Sequence, residues 1–181
     1  MENLTIFLIL LVLSSNFLTF TLGAEIRMKS RLLGPTITFG IFQLIMFMTG
    51  WGLARLIAPL LEQSIFVVYQ AIILFIGAKR IFRSITIKSQ NRYYEIVHVV
   101  DAVMLSVAVG VDALIIGLGY GAVEIDFGKS IGFLFPLTLL MALTGIGIKR
   151  KWGDKNNGRF VELASGIIML LLGIIVMIRI G

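Results

Sequence analysis

Six stretches of almost unbroken apolar residues divide this chain, at approximately 4–23, 35–54, 64–82, 97–120, 131–148 and 160–178. A hydrocarbon core about 30 Å thick takes roughly 20 mostly apolar residues in a helix, so each stretch predicts one transmembrane helix. The third ends on Lys79 and Arg80. It fits a span if both side chains snorkel from the helix end toward the headgroups. The first stretch has the length of a cleaved signal peptide, but Met1-Glu2-Asn3 lacks the positive start that such peptides need. It is read as a helix. The expected class is an all-α integral membrane protein with six transmembrane helices.

The few polar positions inside these stretches recur. Ser14-Ser15-Asn16-Phe17-Leu18 aligns with Gly110-Val111-Asp112-Ala113-Leu114 at an offset of 96 residues. Thr49-Gly50-Trp51-Gly52 aligns with Thr144-Gly145-Ile146-Gly147 at 95, and Phe75-Ile76-Gly77 with Leu171-Leu172-Gly173 at 96 again. Landmarks in one order at nearly one spacing argue for an internal duplication. The expected organisation is one transporter domain over 1–181: repeat one at 1–82, a basic cytoplasmic linker at 83–96, and repeat two at 97–181. Each repeat holds three helices, an odd number, so the second enters the membrane inverted. Inverted repeats of this kind place a transport site near the midplane, at the repeat interface.

Composition sharpens this reading. Hydrophobic residues make up 58% of the 181 residues and charged residues 14%, with a mean hydropathy of +0.99. A soluble domain carries about a quarter charged residues. The absence of cysteine excludes disulfides, thiolate metal sites and cysteine nucleophiles. A single histidine, His98, argues against histidine-rich zinc or iron sites. The net charge of +6 reflects topology rather than nucleic-acid binding, because the basic residues lie in loops between apolar segments. Loops 24–34, 83–96 and 149–159, with Lys79 and Arg80, hold 13 Lys and Arg; the other side has Arg55, Lys129 and Arg179. The positive-inside rule makes the first side cytoplasmic and puts both termini outside.

Asp112, near the middle of the fourth segment, is the leading site candidate. A carboxylate there costs about 2.5–3.5 kcal/mol on insertion scales, so it faces a cavity, a partner or an ion pathway. Its neutraliser is a proton, a bound cation, or a cationic residue reaching in from a helix end. The plainer alternative is a protonated Asp bonded between helices. Asp101, eleven residues earlier, falls on nearly the same helix face about 16 Å away. It is either a relay carboxylate at the cytoplasmic mouth or a solvated helix-end residue. Asn16 and Gln43 offer amide oxygens, and Ser14, Ser15, Thr19, Thr49 and Ser106 offer hydroxyls, although such hydroxyls more often bond within helices. An oxygen-rich set suits Mg²⁺, Ca²⁺ or Mn²⁺ over copper or zinc.

Ser15-Asn16-Phe17, Val111-Asp112-Ala113-Leu114, Gly50-Trp51, and Glu162 followed by Gly166 resemble the bacterial manganese efflux pumps of the MntP type, within the LysE-like transporter superfamily. The resemblance covers all six helices. It implies Mn²⁺ export with Asp112 as a metal ligand; the residues expected to form the site are Asp112, Asn16, Gln43 and Asp101. Of these, Asp112 carries over directly from the family's Ser-Ile-Asp-Ala-like motif in the fourth helix. The family's first motif carries an aspartate where this chain has Asn16, and an acidic residue is common where it has Gln43. Each change removes a negative charge and keeps an oxygen. Asp101 lies outside the motif.

The expected function is therefore export of a divalent cation, Mn²⁺ above others, across a bacterial inner or plasma membrane. The expected partners are the lipid bilayer and the cation, with self- or hetero-association left open and no nucleic acid. No cofactor is expected, Mn²⁺ being cargo, and no enzymatic nucleophile–base pair is visible. Two alternatives stand beside this. A diverged paralogue would export another small solute such as an amino acid, and a non-transporting chain would serve as a membrane partner subunit.

Overall fold

A computed structural model describes residues 3–26, 33–61, 65–86, 94–96, 99–152 and 157–180. Six helices carry the fold: α1 (Asn3–Gly23), α2 (Leu33–Leu61), α3 (Ile65–Thr86), α4 (Val99–Ala122), α5 (Phe127–Trp152) and α6 (Asn157–Ile180). Each coincides with one apolar stretch, because in lipid a helix is the structure that satisfies its backbone internally. Two short strands, β1 (Ala24–Ile26) and β2 (Tyr94–Ile96), pair in parallel with Glu25 opposite Glu95. This ribbon qualifies the all-α expectation and falls within connections read as plain loops.

Among the described residues, four helices hold stretches long and apolar enough to cross a membrane: Ile37–Leu60, Ile65–Thr86, Phe127–Gly145 and Arg159–Ile178. The described apolar stretches of α1 and α4 are shorter, Asn3–Thr19 and Ser106–Ala122. Large apolar side chains such as Leu56, Leu60, Phe82, Met104 and Ile178 stay exposed, as lipid-facing residues do. The chain is a multi-pass helical membrane protein.

The helix ends differ from expectation where polar residues find partners. α2 continues to Leu61, past Arg55 and Pro59. The Arg55 guanidinium bonds the Glu124 carboxylate at 2.8 Å and lies over the Trp51 ring, so its charge need not end the helix. α4 closes with Glu124 at φ 58°, the Glu124 amide donating to the Gly121 carbonyl and the Ile125 amide to that of Tyr120. That double closure is a Schellman motif. The Asp126 carboxylate then accepts from the Lys129 amide at 2.7 Å and caps α5. α5 consequently starts four residues earlier than its apolar run.

Three packing pairs dominate the bundle: α2 with α4, α1 with α5, and α3 with α6, while α1 also packs on α6 and α3 on α4. Without a hydrophobic drive between helices in lipid, close backbone approach at small residues supplies the packing. A methyl on Gly50 would overlap the Leu114 carbonyl, and one on Gly117 the Phe47 carbonyl. On the other pair, a methyl on Gly145 would strike Thr21 and Leu18. Between α3 and α6 the contacts are reciprocal. Gly77 lies against Leu170 and Gly173 against Leu74, each at 2.8–2.9 Å from the missing Cβ. The apolar core runs through Leu10, Leu13, Phe47, Tyr69, Ile76, Ile116, Tyr120 and Met169, all nearly or wholly buried.

Candidate ion site

α1 and α3 converge on Asp112 of α4, whose side chain is 5% exposed. α1 brings Asn16, whose Nδ2 donates to Asp112 Oδ2 at 3.2 Å. α3 brings two cations on consecutive residues. Lys79 Nζ reaches Asp112 Oδ1 at 2.5 Å, and Arg80 Nε stands 4.0 Å from Oδ2. Both carboxylate oxygens are thus engaged, one by an ammonium and the other by an amide with a guanidinium behind it.

The two cations are held differently. Arg80 is 1% exposed, and its Nη1 donates to the Val12 carbonyl at 2.8 Å and to Ser15 and Ser165 Oγ at 3.0 Å each. Its Nε and Nη2 have no hydrogen-bond partner. The Lys79 side chain is 31% exposed, and Asp112 is the partner it reaches. One turn further along α3, Arg83 Nε lies 3.4 Å from Glu162 Oε1 on α6, at a carboxylate that is itself buried. A lone buried charge costs several kcal/mol, so the alternation of Lys79, Arg80 and Arg83 with Asp112 and Glu162 lets these helices keep charges inside.

This corrects the reading of Lys79 and Arg80 as snorkelling residues at the end of a span. α3 extends six residues past Arg80, to Thr86, so neither residue is at its end. Both side chains turn inward because Asp112, Ser15, Ser165 and the Val12 carbonyl supply acceptors there. Of the neutralisers weighed for Asp112, the structure supplies the cationic side chain. Apolar α3 carrying two adjacent basic residues, in a chain whose mid-segment carboxylate lacked a partner, was the signal that charge pairing could have used.

The other candidates fall out unevenly. Gln43 is 4% exposed, and neither its Oε1 nor its Nε2 has a hydrogen-bond partner. It is on α2 one turn from Gly40, which faces Thr138 of α5, and no hydrogen bond joins it to Asp112. Asp101 is in the first turn of α4, and its side chain is outside the described residues, as is His98. Ser14 bonds Thr138 at 3.4 Å, while Ser15, Thr19, Thr21 and Thr49 donate to carbonyls of their own helices, the packing role. Among the described residues no group of three or more His, Cys, Asp or Glu could hold a metal ion. Among the described residues, a cation at Asp112 would meet one carboxylate, with amide, hydroxyl and carbonyl oxygens for the rest.

The family model described as "Putative manganese efflux pump" matches residues 26–177. A protein of Wolinella succinogenes named "Putative manganese efflux pump MntP 1" is 26% identical over 169 residues, covering 92% of each chain. Its namesakes in Clostridium perfringens strain 13 and Methanosphaera stadtmanae are 25% and 27% identical, over 164 and 145 residues. These matches cover 78% and 80% of this chain and 76% and 79% of the relatives. No solved structure matches. The chain belongs to the manganese efflux pump family, whose members are membrane transporters and not enzymes.

Proposed function

We propose that this chain exports Mn²⁺ across the cell membrane, with Asp112 as the anchoring ligand at the crossing of two inverted three-helix repeats. The observation that carries this is the Asn16–Asp112 pairing. The residues are 96 apart, the offset of the duplication, so each touches its own counterpart. In a two-fold arrangement only residues on the axis meet their counterparts. The Gly77–Leu170 and Gly173–Leu74 contacts support the same axis, because adding 96 to Leu74 and Gly77 yields Leu170 and Gly173. The pairing of α2 with α4 is likewise answered by that of α5 with α1. An axis in the membrane plane puts Asp112 near the midplane, where repeat-built transporters bind their cargo.

Mn²⁺ is a hard cation that takes oxygen ligands. Asp112 supplies charge, and Asn16, once its amide turns, supplies a carbonyl oxygen. Gln43 is a second amide whose unpartnered burial suits a ligand more than a packing residue. The basic connections place both termini outside under the positive-inside rule. Rocking of one repeat against the other would expose Asp112 to each side in turn.

The test uses cells that lack their own manganese exporter, scored for Mn²⁺ sensitivity and intracellular manganese. Three versions are compared: the native chain, Asp112→Asn, and the double substitution Asn16→Asp with Gln43→Glu. The native chain is expected to lower intracellular manganese and Asp112→Asn to fail. Rescue by the double variant alone would mean that the native site moves something other than manganese.

A further inference from the structure

We propose that Lys79 is a tethered competitor for the transported cation, seated on Asp112 when no Mn²⁺ is bound and displaced when Mn²⁺ binds. This deepens the reading of Asp112 as the metal ligand and rests on it. The argument begins with charge. Asp112 is one carboxylate facing two cationic side chains, Lys79 at 2.5 Å and Arg80 at 4.0 Å. A divalent ion arriving at Asp112 with both still in place would sit within a few ångströms of two positive charges. Repulsion at that range, in a poorly screened interior, is as strong per charge as the attraction to the carboxylate. One cation has to leave.

The geometry says which. Arg80 is pinned by three hydrogen bonds from Nη1 and is 1% exposed. Lys79 is a third exposed and, among the described residues, bonds through the carboxylate alone. Successive helical residues project about 100° apart, so Lys79 approaches Asp112 from a different and more open side than Arg80. Its ammonium is a compact point charge on a flexible four-carbon stem, able to swing without disturbing α3. It also occupies Oδ1, an oxygen that a bound cation would need. Asn16 also competes for the carboxylate, since its Nδ2 donates to Asp112 Oδ2 and its amide must turn to offer oxygen. Lys79 would thereby hold Mn²⁺ affinity down and keep the bound ion releasable.

The chain contains no cysteine, so Lys79→Cys introduces a single modifiable thiol. Mn²⁺ affinity of the purified full-length variant is measured before and after modification. The unmodified variant should bind Mn²⁺ about tenfold or more tightly than the native chain. Aminoethyl methanethiosulfonate, which restores an ammonium, should return binding to the native level, and methyl methanethiosulfonate should not. Unaltered or weaker binding by the unmodified variant, or failure of the restored ammonium to weaken it, overturns the proposal. On the native chain, Mn²⁺ should raise the labelling rate of Lys79 by an amine reagent, read by mass spectrometry. A rate that is unchanged or lowered also overturns it. Native Mn²⁺ efflux, scored in parallel, reports on the export reading separately.

Discussion

The Asn16 amide donates to the Asp112 carboxylate at 3.2 Å across α1 and α4, joining two positions separated by the same 96 residues that separate Gly77 from Gly173. One member of this pair is charged and the other neutral, so the crossing carries one formal negative charge where two carboxylates would carry two. Asn16→Asp should therefore tighten Mn²⁺ binding, by about tenfold. Calorimetric titration of the native and substituted proteins checks this, and equal affinities would remove Asn16 from the ion's surroundings.

Asp112 also stabilises the fold. Arg80 is buried among α1, α3 and α6, and the charge nearest its Nε is the Asp112 carboxylate. Asp112→Asn should lower stability by about 3 kcal/mol, because it removes the nearest counter-charge of a buried guanidinium. In combination with Arg80→Met the loss should be less than additive, with a coupling of about 1–3 kcal/mol. Denaturation of the four proteins in detergent measures it.

How much of this was legible beforehand depends on what kind of signal each residue leaves. All six helices were, because burial in lipid writes itself as long apolar runs. The Asn16–Asp112 pairing was visible as an offset before it became a contact. Lys79 and Arg80 were misplaced, because hydropathy along one dimension ranks a basic residue by its distance from a span's end. It carries no information on whether a carboxylate of another helix waits opposite. The extension of α2 to Leu61 was hidden for the same reason, since Arg55 is matched by Glu124, 69 positions away. The pairing of β1 with β2 joins three-residue segments, too short to leave a period-2 pattern.

Gln43 should separate stability from function. An amide buried without hydrogen bonds costs about 1–3 kcal/mol relative to an apolar group of similar shape. Gln43→Met should raise the melting temperature while reducing manganese efflux. A variant that is both less stable and fully active would refute the ligand role.

Gly77 and Gly173 should respond alike. A methyl at either position meets a leucine of the opposite helix below 3.0 Å, Leu170 in one case and Leu74 in the other. Gly77→Ala and Gly173→Ala should each cost about 1–3 kcal/mol through overpacking. Their thermal shifts should be of similar size, as expected for equivalent sites of a repeat, and a large inequality would count against that symmetry.

The most direct test of the central claim is Mn²⁺ flux in proteoliposomes holding the purified chain alone. The native protein should move Mn²⁺ down an imposed gradient, and Asp112→Asn, reconstituted to the same level and shown to be folded, should not. Flux by the Asp112→Asn protein at the native rate would contradict the account, because the carboxylate at the crossing of α1 and α4 would then not be the ion's ligand.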